Sequence, residues 1–391
     1  MPPENANSLR SLKILLHAGF FLAGIATVII GQLLPILKEK FALNDEQLGN
    51  FFPAQFAGSV IGTFLTNRLG KQNRFLPASF AGCFSMGAGV LMLNFGSYEL
   101  CLAGFFVNGL GIGLTLPSIN MLVLELNPAR GAAALSVVNF FWGVGAIISQ
   151  PFVDFLARGT NIVTPTLALS AMFLAVGAWL ALIPKGIEQK PTAGDDEEAD
   201  FDAPIWTNPA AWTIAAFNFI HVGYESAMSG WLKTYTQRVE ESDAASWLPP
   251  ITLFFVFFVV GRGVAPLFFR FLNENRMLFL GLLTIFFGML ILLSASGIWV
   301  LSVGASVSGF GTASVFPTNM SRFTKIFGAS ASRRMTPFFI CGTLGATFTT
   351  WFIGYVSNRF GNDLRSGMLI LLGSVVILIV LQIVLATRKA K

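Results

Sequence analysis

The stretch "NGLGIGLTLPSINM" (Asn108–Met121) returns two hundred positions later as "SGFGTASVFPTNM" (Ser308–Met320). Gly109, Gly111 and Pro117 map onto Gly309, Gly311 and Pro317, and the same offset carries Gly145-Ala146 onto Gly345-Ala346. One frame that holds glycines and a proline in register across both stretches is the mark of a duplicated half, and a repeat on that scale dictates the architecture before any single element does.

Composition says what kind of half is repeated. Hydrophobic residues make up 54% of the chain, 40 of them Phe, against 12% charged residues, and the mean hydropathy is +0.68. These values lie outside the range of soluble domains and read as a membrane protein. Roughly 20 apolar residues cross about 30 Å of hydrocarbon as a helix. Twelve such runs are present: 14–37, 46–69, 74–95, 98–122, 132–156, 163–183, 209–233, 249–271, 277–296, 298–320, 335–357 and 366–386. The repeated motif falls in the fourth and tenth runs. The reading is an all-α membrane protein of twelve transmembrane helices in two six-helix halves, residues 1–183 and 209–391. A polar linker, 184–208, joins them; its acidic block Asp195, Asp196, Glu197, Glu198 and Asp200 reads as a solvated tether.

Orientation follows from Lys and Arg, which are retained on the cytoplasmic side. Seventeen lie on the side of the N-terminus and seven on the other, with Arg262 inside a run, so both termini and the linker are expected in the cytoplasm of a multi-pass inner-membrane protein. The first run is too long for a secretory signal and ends without a small-residue cleavage site. Cys83, Cys101 and Cys341 all fall within runs and make neither a disulfide framework nor a CxxC metal pair. No P-loop, HExxH helix or nucleophile elbow is present, so neither an ATP-driven pump nor an enzyme is indicated, and no cofactor or metal is expected. The basic residues follow topology and are not interleaved with aromatics, so no nucleic-acid partner is expected. The bilayer itself is the partner, and a monomer is the expected state.

Several segments carry a family resemblance. "TFLTNRLGKQNR" (Thr63–Arg74) resembles the loop motif G-x-L-x-D-R-x-G-R-R of the major facilitator superfamily: Arg68, Gly70 and Lys71 match, while Thr63 stands at the Gly and Asn67 at the Asp. A weaker copy, beginning within the eighth run, keeps Gly261-Arg262. "QFAGSVIG" (Gln55–Gly62), "NFFWGVGAIISQP" (Asn139–Pro151), "GYESAMSGWLKTY" (Gly223–Tyr235) and "VFPT" (Val315–Thr318) resemble segments of the fucose and glucose:proton symporter family. The resemblance implies a secondary transporter that moves a small polar solute, a hexose, by alternating access. It also implies a clamp at the cytoplasmic helix ends to which Arg68, Lys71 and Arg262 belong.

A sugar needs amides and an aromatic face near the middle of the bilayer, where polar groups are tolerated when they line a cavity. Gln55, Asn120, Asn139, Asn319 and Trp142 fit that need; an interhelical hydrogen bond or core packing explains the same residue types without a solute. Pro117 and Pro317 remove a backbone donor in corresponding helices and are expected to bend both alike. Glu225 is the one carboxylate well inside a run, and His221 lies one turn before it on the same face. A carboxylate beside an imidazole can carry a coupling proton, or can accept sugar hydroxyls without titrating. Proton-coupled relatives keep acids in the first and fourth helices, whereas no acid occurs here between Arg10 and Glu39 or between Glu99 and Glu125, so sodium stands beside the proton as coupling ion. A different class, an exporter of amphipathic drugs or lipids, fits the Phe content and the scarcity of charge.

The charge count predicts that a reporter fused at residue 195 reports cytoplasm and one fused at residue 242 reports the outside; the opposite pattern would overturn the topology.

Overall fold

A computed structural model of the protein describes residues 3–70, 72, 74–127, 131–183, 205–239, 249–327 and 335–387. The helices are α1 (Pro3–Phe41), α2 (Asp45–Gly49), α3 (Phe51–Gly70), α4 (Phe75–Met92), α5 (Tyr98–Glu125), α6 (Gly131–Leu156) and α7 (Val163–Leu182), then α8 (Pro209–Val239), α9 (Pro250–Phe268), α10 (Glu274–Leu293), α11 (Ile298–Thr312), α12 (Val315–Phe327), α13 (Thr336–Arg359) and α14 (Leu364–Thr387). The twelve apolar runs are all helical. The second is split into α2 and α3, and the tenth into α11 and α12. Ten of these runs, with α11 and α12 taken together as one, are long and apolar enough among the described residues to cross a membrane; those of α3 and α8 fall short.

The helices sort into two compact units. The first comprises the chain up to Leu43 and from Asn50 through α7, and the second runs from α8 onward and takes in Asn44–Gly49. Within the first unit α5 packs on α3 and α4, α1 on α6, and α4 on α7. Within the second α11 packs on α9 and α10, α8 on α13, and α10 on α14. The pairings are the same in both, so the duplication seen in sequence is a duplication of packing.

Glycines explain why the motif had to be kept. A Cβ on Gly109 would collide with the backbone of Gln55 in α3, and one on Gly309 with the backbone of Phe254 in α9. A Cβ on Gly111 would stand 2.6 Å from the carbonyl oxygen of Gly82 in α4, and one on Gly311 would stand 2.8 Å from that of Gly281 in α10. Gly145 and Gly345 likewise press against the backbones of Phe21 and Phe219. Hydrocarbon surrounds these helices outside the protein, so burial of apolar surface gives little preference for one helix pairing over another. Close backbone packing and interhelical hydrogen bonds must supply that preference. The same contacts bring side chains onto neighbouring backbones: Thr66 Oγ1 donates to Gly113 O at 3.0 Å, Ser170 Oγ to Gly87 O at 2.8 Å, and Trp231 Nε1 to Thr350 O at 2.9 Å.

The two prolines act differently. α5 continues through Pro117, whereas the tenth run breaks at Ala313 and Ser314, leaving Pro317 in the first turn of α12, where a missing donor costs little. The expected equal bends are therefore one proline inside a continuous helix and one just after an interruption.

α2 departs from the sequence reading. Asn44 and Gln47 cap it reciprocally: Gln47 N donates to Asn44 Oδ1 at 2.8 Å and Asn44 N to Gln47 Oε1 at 3.0 Å. Asp45, fully buried, accepts from Arg238 Nη1 at 2.7 Å and also from Arg238 Nη2 and Ser357 Oγ, while Asn358 Nδ2 donates to Glu46 Oε2 at 3.0 Å. This polar knot joins α2 to α8 and α13, which is why the first residues of the second apolar run pack with the second unit.

Overpacking costs about 1–3 kcal/mol in a tight core. Gly109→Ala and Gly309→Ala should each lower the unfolding temperature in detergent, while Gly373→Ala, whose Cβ would meet nothing within 4 Å, should leave it unchanged. Equal behaviour of all three would show that the repeated motif does not set the packing.

Candidate functional site

The two helices that fall short of the apolar criterion carry several of the residues that the sequence marks for function. α8 holds His221 and Glu225; α3 holds Gln55. Polar residues at such positions lower the hydropathy of a span, and a bilayer tolerates them only where the protein covers them or a cavity hydrates them.

In the second unit, the four-residue spacing puts His221 and Glu225 on one face of α8, with His221 Nε2 3.8 Å from Glu225 Oε2. His221 is fully buried and neither ring nitrogen has a hydrogen-bond partner; the Glu225 side chain keeps 24% of its surface exposed. At 3.8 Å the two are charge neighbours without a hydrogen bond. Arg262 of α9 attracts Glu225 electrostatically and lies over the ring of Phe258, 4.1 Å from its centroid. Its side chain makes no ion pair or hydrogen bond among the described residues. It borders a cleft of about 440 Å³ whose other walls are Ala265, Pro266, Phe269, Ala313, Phe316 and Pro317. Three titratable or charged groups named from the sequence are thus drawn together: an acid open to solvent on one side, an imidazole behind it, and a cation held by an aromatic ring.

Asn319 lies apart from that group. It is buried and donates from Nδ2 to Ile214 O at 3.2 Å, joining α12 to α8. Asn218, which the sequence reading passed over, does the same toward Phe338 O at 2.9 Å.

In the first unit, Gln55 is buried and donates from Nε2 to Ala26 O at 3.3 Å and toward Asn108 Oδ1 at 3.5 Å, so its amide bridges α3, α1 and α5. Asn139 of α6 is exposed, its Nδ2 turned back on its own helix to Leu135 O at 2.8 Å. Three residues on, Trp142 donates from Nε1 to Thr27 Oγ1 at 3.4 Å. Asn120 of α5 is half-buried with Oδ1 unpartnered. No hydrogen bond joins Gln55 to Asn139 or Trp142. Arg68 is exposed at the end of α3, and Lys71 lies outside the described residues. Among the described residues no cluster of His, Cys, Asp and Glu could hold a metal ion.

Comparison with known proteins follows the same line. The sequence profile of the Major Facilitator Superfamily matches residues 16–336. The sodium-dependent glucose transporter 1A of Mus musculus is 23% identical over 394 residues, covering 88% of this chain and 89% of that protein. Among solved structures, the nucleoside transporter NupG superposes with a TM-score of 0.78 at 14% identity, covering 98% of this chain and 100% of that chain. The Escherichia coli fucose:proton symporter FucP superposes with a TM-score of 0.62 at 20% identity, covering 97% and 99%.

Gln55 and Asn139 should respond differently to truncation. Gln55→Ala removes an interhelical bond worth about 1 kcal/mol and should lower thermal stability. Asn139→Ala removes an exposed amide and should leave stability unchanged while weakening solute binding by about 1–3 kcal/mol. Thermal shifts with and without a sugar panel read both, and a stability loss in Asn139→Ala with unchanged solute response would exclude it from the binding surface.

Proposed function

Because this chain belongs to the Major Facilitator Superfamily, as a multi-pass membrane transporter and not an enzyme, we propose that it moves a small polar solute, a hexose, by alternating access with Glu225 as the carrier of a coupling proton. The observation that carries the reading is the position of Glu225. It is the one carboxylate well inside an apolar run among the described residues, it is half-buried, and it is flanked by His221 and electrostatically linked to Arg262. A carboxylate that can reach water and is balanced by a nearby cation can gain or lose a proton without leaving a large uncompensated charge in the membrane, and such residues are the usual seat of ion coupling. The sugar assignment draws on the names of the mouse glucose transporter and the fucose symporter and on exposed Asn139 with Trp142 beside it. We place both termini in the cytoplasm, on the charge asymmetry.

A second reading has one observation in its favour. The cleft beside Arg262 is walled by Phe269, Phe316 and Pro317, a lining that suits an amphipathic drug or lipid better than a sugar; the reading is then an exporter of such molecules. Proton and sodium remain distinct outcomes, since the mouse relative is named as sodium-dependent.

Glu225→Gln mimics the permanently protonated acid. In proteoliposomes it should retain counterflow of labelled sugar and lose accumulation driven by a pH gradient. If Glu225 only accepts sugar hydroxyls, counterflow and accumulation should fall together. Uptake by the wild type that follows a sodium gradient and ignores a pH step would replace the proton by sodium, and efflux of hydrophobic dyes without sugar counterflow would favour the second reading.

A further inference from the structure

A groove of about 430 Å³ lies on the flank of the second unit, far in character from the Glu225 site. It is lined by Phe279 and Leu280 of α10, by Ile383 and Ala386 of α14, and by the polar Asn275, Arg276 and Gln382. α14 is the least buried of the ten apolar spans, and Ile383, Val380 and Val376 are about half exposed along it. A surface this apolar on a membrane-crossing helix faces acyl chains. The groove therefore opens to the bilayer, and what fills it comes from the bilayer.

The polar end sits where α10 begins and α14 finishes, so it lies at one face of the membrane. Its charge is positive. The Arg276 side chain has no ion-pair partner among the described residues. Behind it, Arg322 is buried to 6% exposure, and its Nη2 donates to Asn275 Oδ1 at 3.2 Å and also to Gln382 Oε1, the two amides that line the groove. Gln382 Nε2 is turned to Asn275 O at 3.2 Å. Arg322 Nη1, equally buried, has no hydrogen-bond partner. Glu274, which accepts from Lys325 at 2.8 Å and from Ser321 Oγ at 2.7 Å and also attracts Arg322, is one carboxylate among three cations, so the cluster keeps a positive balance and Arg276 is the cation left over. A buried guanidinium nitrogen without an acceptor is costly, and two amides fixed by that guanidinium lead to a free arginine at the mouth of an apolar slot.

We infer that this groove is a binding site for one anionic phospholipid, with the headgroup phosphate at Arg276 and Asn275 and the glycerol backbone and first methylenes between α10 and α14. From Arg276 to Leu280 the helix descends about 6 Å, which matches that portion of a lipid and not a whole acyl chain. Basic pockets between membrane helices hold acidic headgroups by this combination of charge and apolar wall. The seventeen-to-seven distribution of Lys and Arg puts the site in the cytoplasmic leaflet, where anionic lipids attract such charges. The inference is independent of the solute assignment.

The test is native mass spectrometry of the purified full chain with phosphatidylglycerol and phosphatidylcholine of identical chains, alongside thermal unfolding in the same lipids. Phosphatidylglycerol should be retained in preference and should raise the unfolding temperature. Arg276→Gln should weaken that preference about fivefold, while Arg270→Gln, a cation outside the groove, should not. Leu280→Trp, which fills the slot from an exposed position, should also reduce retention. Equal retention of both lipids by the wild type, or equal effects of Arg276→Gln and Arg270→Gln, would overturn the site, as would full stabilisation by glycerol phosphate, which has the headgroup chemistry and no chains.

Discussion

The carbonyl oxygens of Gly82 in α4 and Gly281 in α10 lie where side chains on Gly111 and Gly311 would have to be, and the rest of the molecule is arranged around such contacts. Each unit is a set of helices whose apolar surfaces would be equally content in lipid. What distinguishes one pairing from another is how closely two backbones can approach, and glycine at the crossing permits an approach that any Cβ forbids. The contacts occur at equivalent places in both units, which makes the duplicated motif a packing instruction used twice.

Close approach also governs where polar side chains can be placed. When backbones nearly touch, the amide of Gln55 or Asn218 and the hydroxyl of Thr66 or Ser170 reach a carbonyl on the neighbouring helix without leaving a void. Such bonds contribute about 0.6 kcal/mol each, modest singly but numerous here. The amides of Gln55, Asn218 and Asn319 are consumed in this way, whereas Asn139, exposed on α6, and the half-buried Asn120 are not.

The twelve helices, the repeat and the Glu225–His221 face were legible because each rests on spacing along one helix: apolar run length, a fixed offset, an i,i+4 pair. What escaped was whatever depends on contacts between helices. Gln55 and Asn139 read alike as amides in apolar runs, and only packing separates an amide spent between α3, α1 and α5 from one left exposed. Arg322 read as a loop cation because the apolar run ends at Met320, yet α12 continues to Phe327 and carries the guanidinium inward. The second apolar run read as one helix from residue 46, with Asp45 just before it. The positive φ of Ala42 and the Asn44–Gln47 cap break the chain there, and the carboxylate turns to Arg238, 193 positions away.

Electrostatics links these observations to the proposed cycle. A lone charge at the centre of a membrane costs about 2.5–3.5 kcal/mol or more, so Arg262 and an ionised Glu225 stabilise each other by leaving no net charge between them. Protonating Glu225 leaves Arg262 as an uncompensated cation, which its position over Phe258 stabilises by about 0.5–2 kcal/mol in either state. The difference between the two states is what a membrane potential or a bound polar solute would have to supply. A carboxylate with a single soft counter-charge can therefore change protonation within a transport cycle. The Asp45 carboxylate is gripped by both guanidinium nitrogens of Arg238 and by Ser357, so of these two acids of the second unit the buried one holds structure and the half-buried Glu225 is left able to respond.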